Sequence, residues 1–276
     1  MMFKESEEAL QNYNKLLSLV RNRIKKKKDL NEPIKGNRFA RNPLTEAATA
    51  DFYLPITHML LEHNANPNKA DSCGNFPLVN AVSHNSIENI KILLRKNANP
   101  NPECKPHSPP LLLLLCRMAC SAHEKQCLNA VTKIKAATVL LQAGADPNAH
   151  QEGQTCIQTL INCPLNIHPE IHLTERKEKK LLAHRKELIK LLIDHGANLL
   201  ITDPTNFQTR NDNNFIDLTH YAFNYYHRLK LIRLLCYPNC PGRNVSPFMK
   251  LPKELVKMIV FMMYPSHKNR EIKKVG

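Results

Sequence analysis

The chain has 276 residues, 42% hydrophobic and 23% charged, a balance that can bury a continuous core and excludes a disordered polymer. Lysine plus arginine exceed aspartate plus glutamate by 39 to 24, a formal charge of +15 that invites anionic partners and specifies none. The longest apolar runs, 111-LLLLLC-116 and 258-MIVFMMY-264, fall short of the roughly 18 residues needed to span a bilayer, which predicts a soluble protein without a transmembrane segment.

The first predicted element, 16-LLSLVRNRIKKKKDLNEP-33, reads as a helix with an exit loop. Next comes a short apolar opening, 42-NPLTEA-47, and a second helix ending in 60-LLEHNANPN-68. That ending returns as 93-LLRKNANPN-101, 140-LLQAGADPN-148 and, eroded, 191-LLIDHGANL-199, with a further leucine pair in 231-LIRLLC-236. Successive leucine pairs lie 33, 47, 51 and 43 residues apart, a unit of 33 carrying insertions. The openings recur as well: 76-FPLVNA-81, 109-PPLLLL-114, 155-TCIQTL-160 and 216-IDLTHY-221. Proline in a first helical turn loses no hydrogen bond, so the openings that carry it predict the start of a short apolar helix, a reading extended to their counterparts. In 86-SIENIKILLRKN-97, Ile87, Ile90, Leu93 and Leu94 are spaced for one helix face. Asn64, Asn97, Gly144 and Gly196 share one place after the leucine pairs, where a left-handed residue is expected because Gly and Asn adopt that conformation at least cost.

The second unit, 71-DSCGNFPLVNAVSHNSIENIKILLRKNANPN-101, resembles an ankyrin repeat without a gap. Asp71, Gly74, Pro77, Leu78, Ala81, Glu88, Ile90, Leu93, Leu94, Ala98 and Asn101 match the family pattern. The family's histidine after the Pro-Leu pair is replaced by Thr45, Val79, Leu112, Gln158 and Thr219, which predicts weaker hydrogen bonding between neighbouring turns. The resemblance implies an all-α ankyrin-repeat solenoid of about five units over 42–240, after a degenerate capping unit in 1–41. Asp29-Leu30-Asn31 stands at the NPN position of that first unit. The third repeat carries about 14 extra residues, including 116-CRMACSAHEKQC-127, and the fourth about 20, around 162-NCPLNIHPEIHLTERKEKK-180. Thr174 is placed to cap a helix running to His195.

Chemical constellations are weak. Nine cysteines form no framework, and nothing at the N-terminus resembles a secretory signal, so a reducing cytosol is the expected setting. Cys104, Cys116, Cys120 and Cys127 with His107 and His123 contain no CxxC pair, and Cys116 and Cys120 read as small buried helix residues. Cys236, Cys240 and His227 are read the same way. No phosphate-cradling glycine loop and no paired carboxylates are identifiable. No catalytic residue, metal ligand or cofactor is therefore assigned, and an enzyme is not expected.

The ankyrin resemblance implies protein binding on a concave surface lined by hairpin tips. Those tips are Lys69, Asp71, Ser72 and Asn75, then Glu103, Lys105 and His107, then His150, Gln151, Glu152 and Gln154, with side chains expected to be relieved of packing. The run 21-RNRIKKKK-28 is the strongest cationic feature, and Lys25, Lys26, Lys27 and Lys28 are the candidates for nucleic acid, acidic lipid or nuclear import. After the linker 242-GRNVSP-247, the segment 248–276 leaves the 33-residue pattern. Its stretch 251-LPKELVKMIVFMM-263 resembles the opening of an F-box, as in PRANC-type poxvirus proteins and ankyrin effectors of intracellular bacteria. That resemblance implies a Skp-type adaptor of a host cullin ubiquitin ligase as partner, held through Leu251, Pro252, Leu255 and Ile259, and a location in host cytosol. The alternative for the segment is a helix that caps the fifth repeat. The alternative for the whole protein is nuclear or nucleic-acid association through the basic surface.

Overall fold

The computed structural model describes residues 2–34, 36, 41–103, 108–120, 130–163, 175–198, 218–219, 221–222 and 224–226. The long helix α1 (Met2–Lys25) is followed by α2 (Pro43–Ala47), a 3-10 turn (Asp51–Tyr53), α3 (Leu54–Glu62), α4 (Pro77–Ser83) and α5 (Ile87–Arg95). Then come α6 (Leu111–Cys120), α7 (Ala130–Gln142), a hairpin of β1 (His150–Gln151) and β2 (Gln154–Thr155), α8 (Cys156–Asn162) and α9 (Glu175–Asp194). Residues 218–219, 221–222 and 224–226 are also helical.

Two layers result. The short helices α2, α4, α6 and α8 stack on one another, as do the longer α1, α3, α5, α7 and α9, and each short helix packs on the long helix after it. One core runs between the layers, from Leu16 and Val20 through Leu60, Leu93 and Leu140 to Leu188 and Leu192. The degenerate unit belongs to this stack. Tyr13 of α1 packs on Phe52 with ring centroids 4.9 Å apart and lies parallel to Tyr53 at 6.1 Å.

Every long helix with a described end closes in the same way. Ala65, Ala98, Ala145 and Ala197 each donate their amide to a carbonyl five residues back, at 2.9 Å. The residue before each is left-handed: Asn64 (φ 63°), Asn97 (62°), Gly144 (91°) and Gly196 (95°). A Cβ at Gly144 or Gly196 would meet nothing within 4 Å, so backbone conformation and not crowding selects glycine there. In α1, Lys28 donates to Arg23 O at 2.9 Å and Lys27 takes the left-handed place at φ 49°. A lysine has neither glycine's freedom nor asparagine's local hydrogen bonding in that region. Lys27→Gly is therefore expected to stabilise the protein by about 1 kcal/mol, read as a higher urea midpoint at unchanged slope.

The loops after these helices are joined by an asparagine ladder. The Oδ1 atoms of Asn31, Asn68, Asn101 and Asn148 accept the amides of Asn66, Asn99, Asp146 and Asn198, all within 2.7–2.8 Å. The Nδ2 groups of Asn68, Asn101 and Asn148 donate to the carbonyls of Asn97, Gly144 and Gly196. Asn31 makes the same amide bond as its counterparts, which places the degenerate first unit in register.

Other polar groups stand in for the missing histidine, between repeats at α2 and within the first turn at α8. Asn42 Oδ1 accepts both Thr45 N and Thr45 Oγ1 at 2.7 Å, while Asn42 Nδ2 donates to Lys69 O of the next repeat at 3.2 Å. At α8, Thr155 and Gln158 form a reciprocal capping box. Val79 offers no polar group, and Phe76 caps α4 without a side-chain bond. There Asn80 ties the repeats, donating from Nδ2 to Thr45 O at 3.3 Å.

Candidate interaction surface

The loop tips divide into scaffold and surface. Asp71 is buried, and its Oδ1 accepts Cys73 N at 2.9 Å and Asn75 N at 2.8 Å. It holds the tip closed, so the structure moves Asp71 from the contact set to the scaffold, and Asn75 is half-buried beside it. Lys69, Ser72, Glu103, His150, Glu152 and Gln154 are exposed, while Gln151 is half-buried. Lys105 and His107 lie outside the described residues. In the hairpin, His150 pairs with Thr155 and Gln151 with Gln154 across a two-residue turn. Both turn residues, Glu152 (φ 53°) and Gly153 (φ 74°), are left-handed, which projects the tip and matches the strand twist.

Charge is segregated between the layers. The short helices read PLTEA, PLVNAVS, LLLLLCRMAC and CIQTLIN, with Glu46 and Arg117 their sole charged residues. The described tips add Lys69 against Glu103 and Glu152, close to balance. The other layer is charged and net basic: Arg21 on α1, Arg95 on α5, Lys135 on α7 and Lys179, Lys180 and Lys190 on α9 are exposed, with Glu62 on α3, Glu88 on α5 and Glu175 and Glu187 on α9 among them. Lys25 ends α1, and Lys26, Lys27 and Lys28 form the exposed turn after it. Beside them Arg21, Ile24, Lys25, Pro55, His58, Met59, Glu62 and His63 line a groove between α1 and α3. The short-helix face and the basic face are thus separate surfaces.

Residues 8–104 match the family model of ankyrin repeats, in three copies. The fold is an ankyrin-repeat solenoid. Such a fold is in general a non-enzymatic scaffold for protein–protein interaction, and the matched span includes the degenerate unit read from Asn31. No curated protein sequence matches the chain. Two solved structures are similar to it at low identity. One is the ankyrin repeat domain of Bcl-3, described as a member of the IkappaB protein family, with 15% identity, TM-score 0.38 and coverage of 76% of this chain and 94% of that one. The other is a chain from the complex of the predatory endopeptidase Bd0816 of Bdellovibrio bacteriovorus with immunity protein Bd3460, with 20% identity, TM-score 0.34 and coverage of 68% and 96%.

The solenoid positions a set of cysteines that the sequence leaves scattered. Cys116 and Cys120 lie one turn apart on α6 and face α8, where Cys156 opens the helix and Cys163 follows it. A hydrogen bond with Cys156, and then burial, pushes the Cys116 thiol well up. The Cys120 thiol is raised chiefly by its hydrogen bond with Cys163 and by burial, against the opposing pull of Arg185 and Lys133. Thiols held protonated in this way are poor nucleophiles at neutral pH. Among the described residues no three His, Cys, Asp or Glu side chains converge as a metal would require. No described helix is long and apolar enough to cross a membrane.

Sequence reasoning missed the buried Arg185 of α9. Its Nη1 donates to Cys163 O at 2.6 Å and its Nη2 to Cys120 O at 3.4 Å, while Lys133 of α7 donates to Met118 O. These carbonyls lie at the ends of α6 and α8, where helix dipoles favour cations. The pattern ERKEKKLLAHRKEL reads as a solvated basic helix, and nothing in it marks one arginine for burial. Leu251, Pro252, Leu255 and Ile259 lie outside the described residues, as does Thr174.

Proposed function

We propose that this chain is a non-enzymatic scaffold that holds a protein partner on its loop tips and short-helix face. The charge segregation carries this reading. In a chain of formal charge +15 the short helices are nearly free of charge among the described residues, and beside them exposed tip side chains stand next to buried residues that hold the turns. Two or three adjacent repeats can supply the ~800 Å² per partner of an ordinary interface. The test is affinity capture from eukaryotic lysate with two variants beside the native chain. One carries Lys69→Ala, Ser72→Ala, Glu152→Ala and Gln154→Ala, and the other reverses Lys25 to Lys28. Loss of the captured protein in the tip variant alone supports the tip surface. Loss in the charge-reversed variant alone overturns it and favours the basic face.

A finer reading makes the protein an adaptor, an effector in host cytosol that passes its target to a cullin-type ubiquitin ligase. Its support is the sequence 251-LPKELVKMIVFMM-263. A Leu251→Ala, Pro252→Ala double variant should recover markedly less Skp-type adaptor than the native chain, and equal recovery ends this reading. The alternative, nucleic-acid or nuclear association, is supported by the cationic long-helix layer. Phosphate contacts must weaken as salt rises, with a slope that flattens in the charge-reversed variant.

A further inference from the structure

We propose that Cys120 and Cys163 form a reversible redox modification site, a dithiol that low-molecular-weight disulfides convert to an intramolecular disulfide joining the end of α6 to the end of α8. Three features of the geometry support it. The Cys163 Sγ donates to the Cys120 carbonyl oxygen at 3.9 Å, while the Cys120 Sγ donates to Thr159 O of α8 at 3.5 Å, so both thiols sit at the α6–α8 contact. Cys163 is half-buried whereas Cys120 is 2% exposed, which separates an entry thiol from a resolving one. Arg185 bonds the carbonyls of both residues and holds them together.

The reaction balances in two exchanges. Cys163, as thiolate, attacks one sulfur of the small disulfide RSSR, forms a mixed disulfide and releases one thiolate that takes up the proton Cys163 gave to solvent. Cys120 then loses its proton and attacks the Cys163 sulfur, expelling the second RSH. Two protein thiols are oxidised and one RSSR is reduced to two RSH. The second step draws on the cations beside Cys120. Arg185 and Lys133 oppose the burial of Cys120 and stabilise its thiolate for the attack.

The neighbouring pair is an internal contrast. Cys116 and Cys156 also stand across the α6–α8 contact, but they are 1% and 0% exposed, so no disulfide in solution reaches either. Cys73 is half-buried and away from this cluster. Cys120 ends α6 and Cys163 follows α8, so the link would join the exits of both short helices.

The experiment exposes the folded full-length chain to oxidised glutathione, blocks remaining thiols with iodoacetamide under denaturing conditions, and maps linked peptides by mass spectrometry with fragmentation. The expected result is a Cys120–Cys163 linkage that dithiothreitol reverses, with intact thiols at Cys116 and Cys156. In Cys120→Ser, Cys163 should accumulate as the mixed disulfide at least tenfold over the native chain, and in Cys163→Ser, Cys120 should stay reduced. Circular dichroism confirms that both variants fold. A native chain in which Cys163 stops at the adduct, pairs with another cysteine or stays reduced while Cys73 reacts overturns the proposal.

Discussion

Arg185→Ala is expected to lower the unfolding free energy by roughly 3–5 kcal/mol, measured by urea titration against the native chain. The guanidinium is 1% exposed and bonds the carbonyls of Cys163 and Cys120, which close α8 and α6. Truncation removes charge-assisted bonds to two helix ends and leaves a cavity in the contact among α6, α8 and α9. Arg185→Met keeps most of the volume and also removes a buried charge, so its cost is expected at about half that of alanine. Arg185→Lys should recover little, because an ammonium cannot span two carbonyls as a planar fork does. A loss below about 1 kcal/mol for alanine would show that the arginine does not organise this junction.

Asp51→Ala is expected to cost about 2 kcal/mol. Asp51 sits in the turn between α2 and α3, yet its Oδ1 accepts Ser86 Oγ at 2.6 Å, Glu88 N at 3.1 Å and Asn89 N at 3.3 Å. It therefore caps α5 of the following repeat from outside. Ser86, the residue at the cap position, makes no capping bond to its own helix. Asn89, fully buried, extends the same junction by donating to Ala50 O at 2.8 Å and to Ser86 Oγ at 2.9 Å. Loss of the carboxylate strips the first turn of α5 of its acceptor, and no other carboxylate among the described residues bonds these amides. Hydrogen exchange should locate the effect: Glu88 and Asn89 amides are expected to exchange at least tenfold faster in Asp51→Ala, while amides of α8 keep their protection. Asp51→Asn, which retains an acceptor without the charge, should fall between the two.

The solenoid was legible wherever local stereochemistry leaves a mark in the letters. A left-handed helix end tolerates few residues, so Asn64, Asn97, Gly144 and Gly196 reveal the period, and prolines mark the first turns of α2 and α4. Asn31 placed the first unit even though Lys27 departs from the usual residue at its helix end. What stayed hidden depends on contacts between repeats. Asp51 reads as a turn residue, and only the stacking of units puts it at the start of another helix. Asp71 reads as an exposed tip residue because the amides that it binds belong to its own loop, a geometry without a sequence period. Arg185 stands among a dozen surface cations and cysteines pair across helices separated by two insertions, so neither could be read from spacing.

The asparagine ladder has a direction. At each step the side chain belongs to the earlier loop, and the amide that it binds belongs to the later one. On a ribosome the earlier loop emerges first, so the acceptor of each step is synthesised before the amide that it binds. A chain circularly permuted to place residues 2–41 last in synthesis would lose this order at the step from Asn31 to Asn66, although every bond of the final molecule could still form.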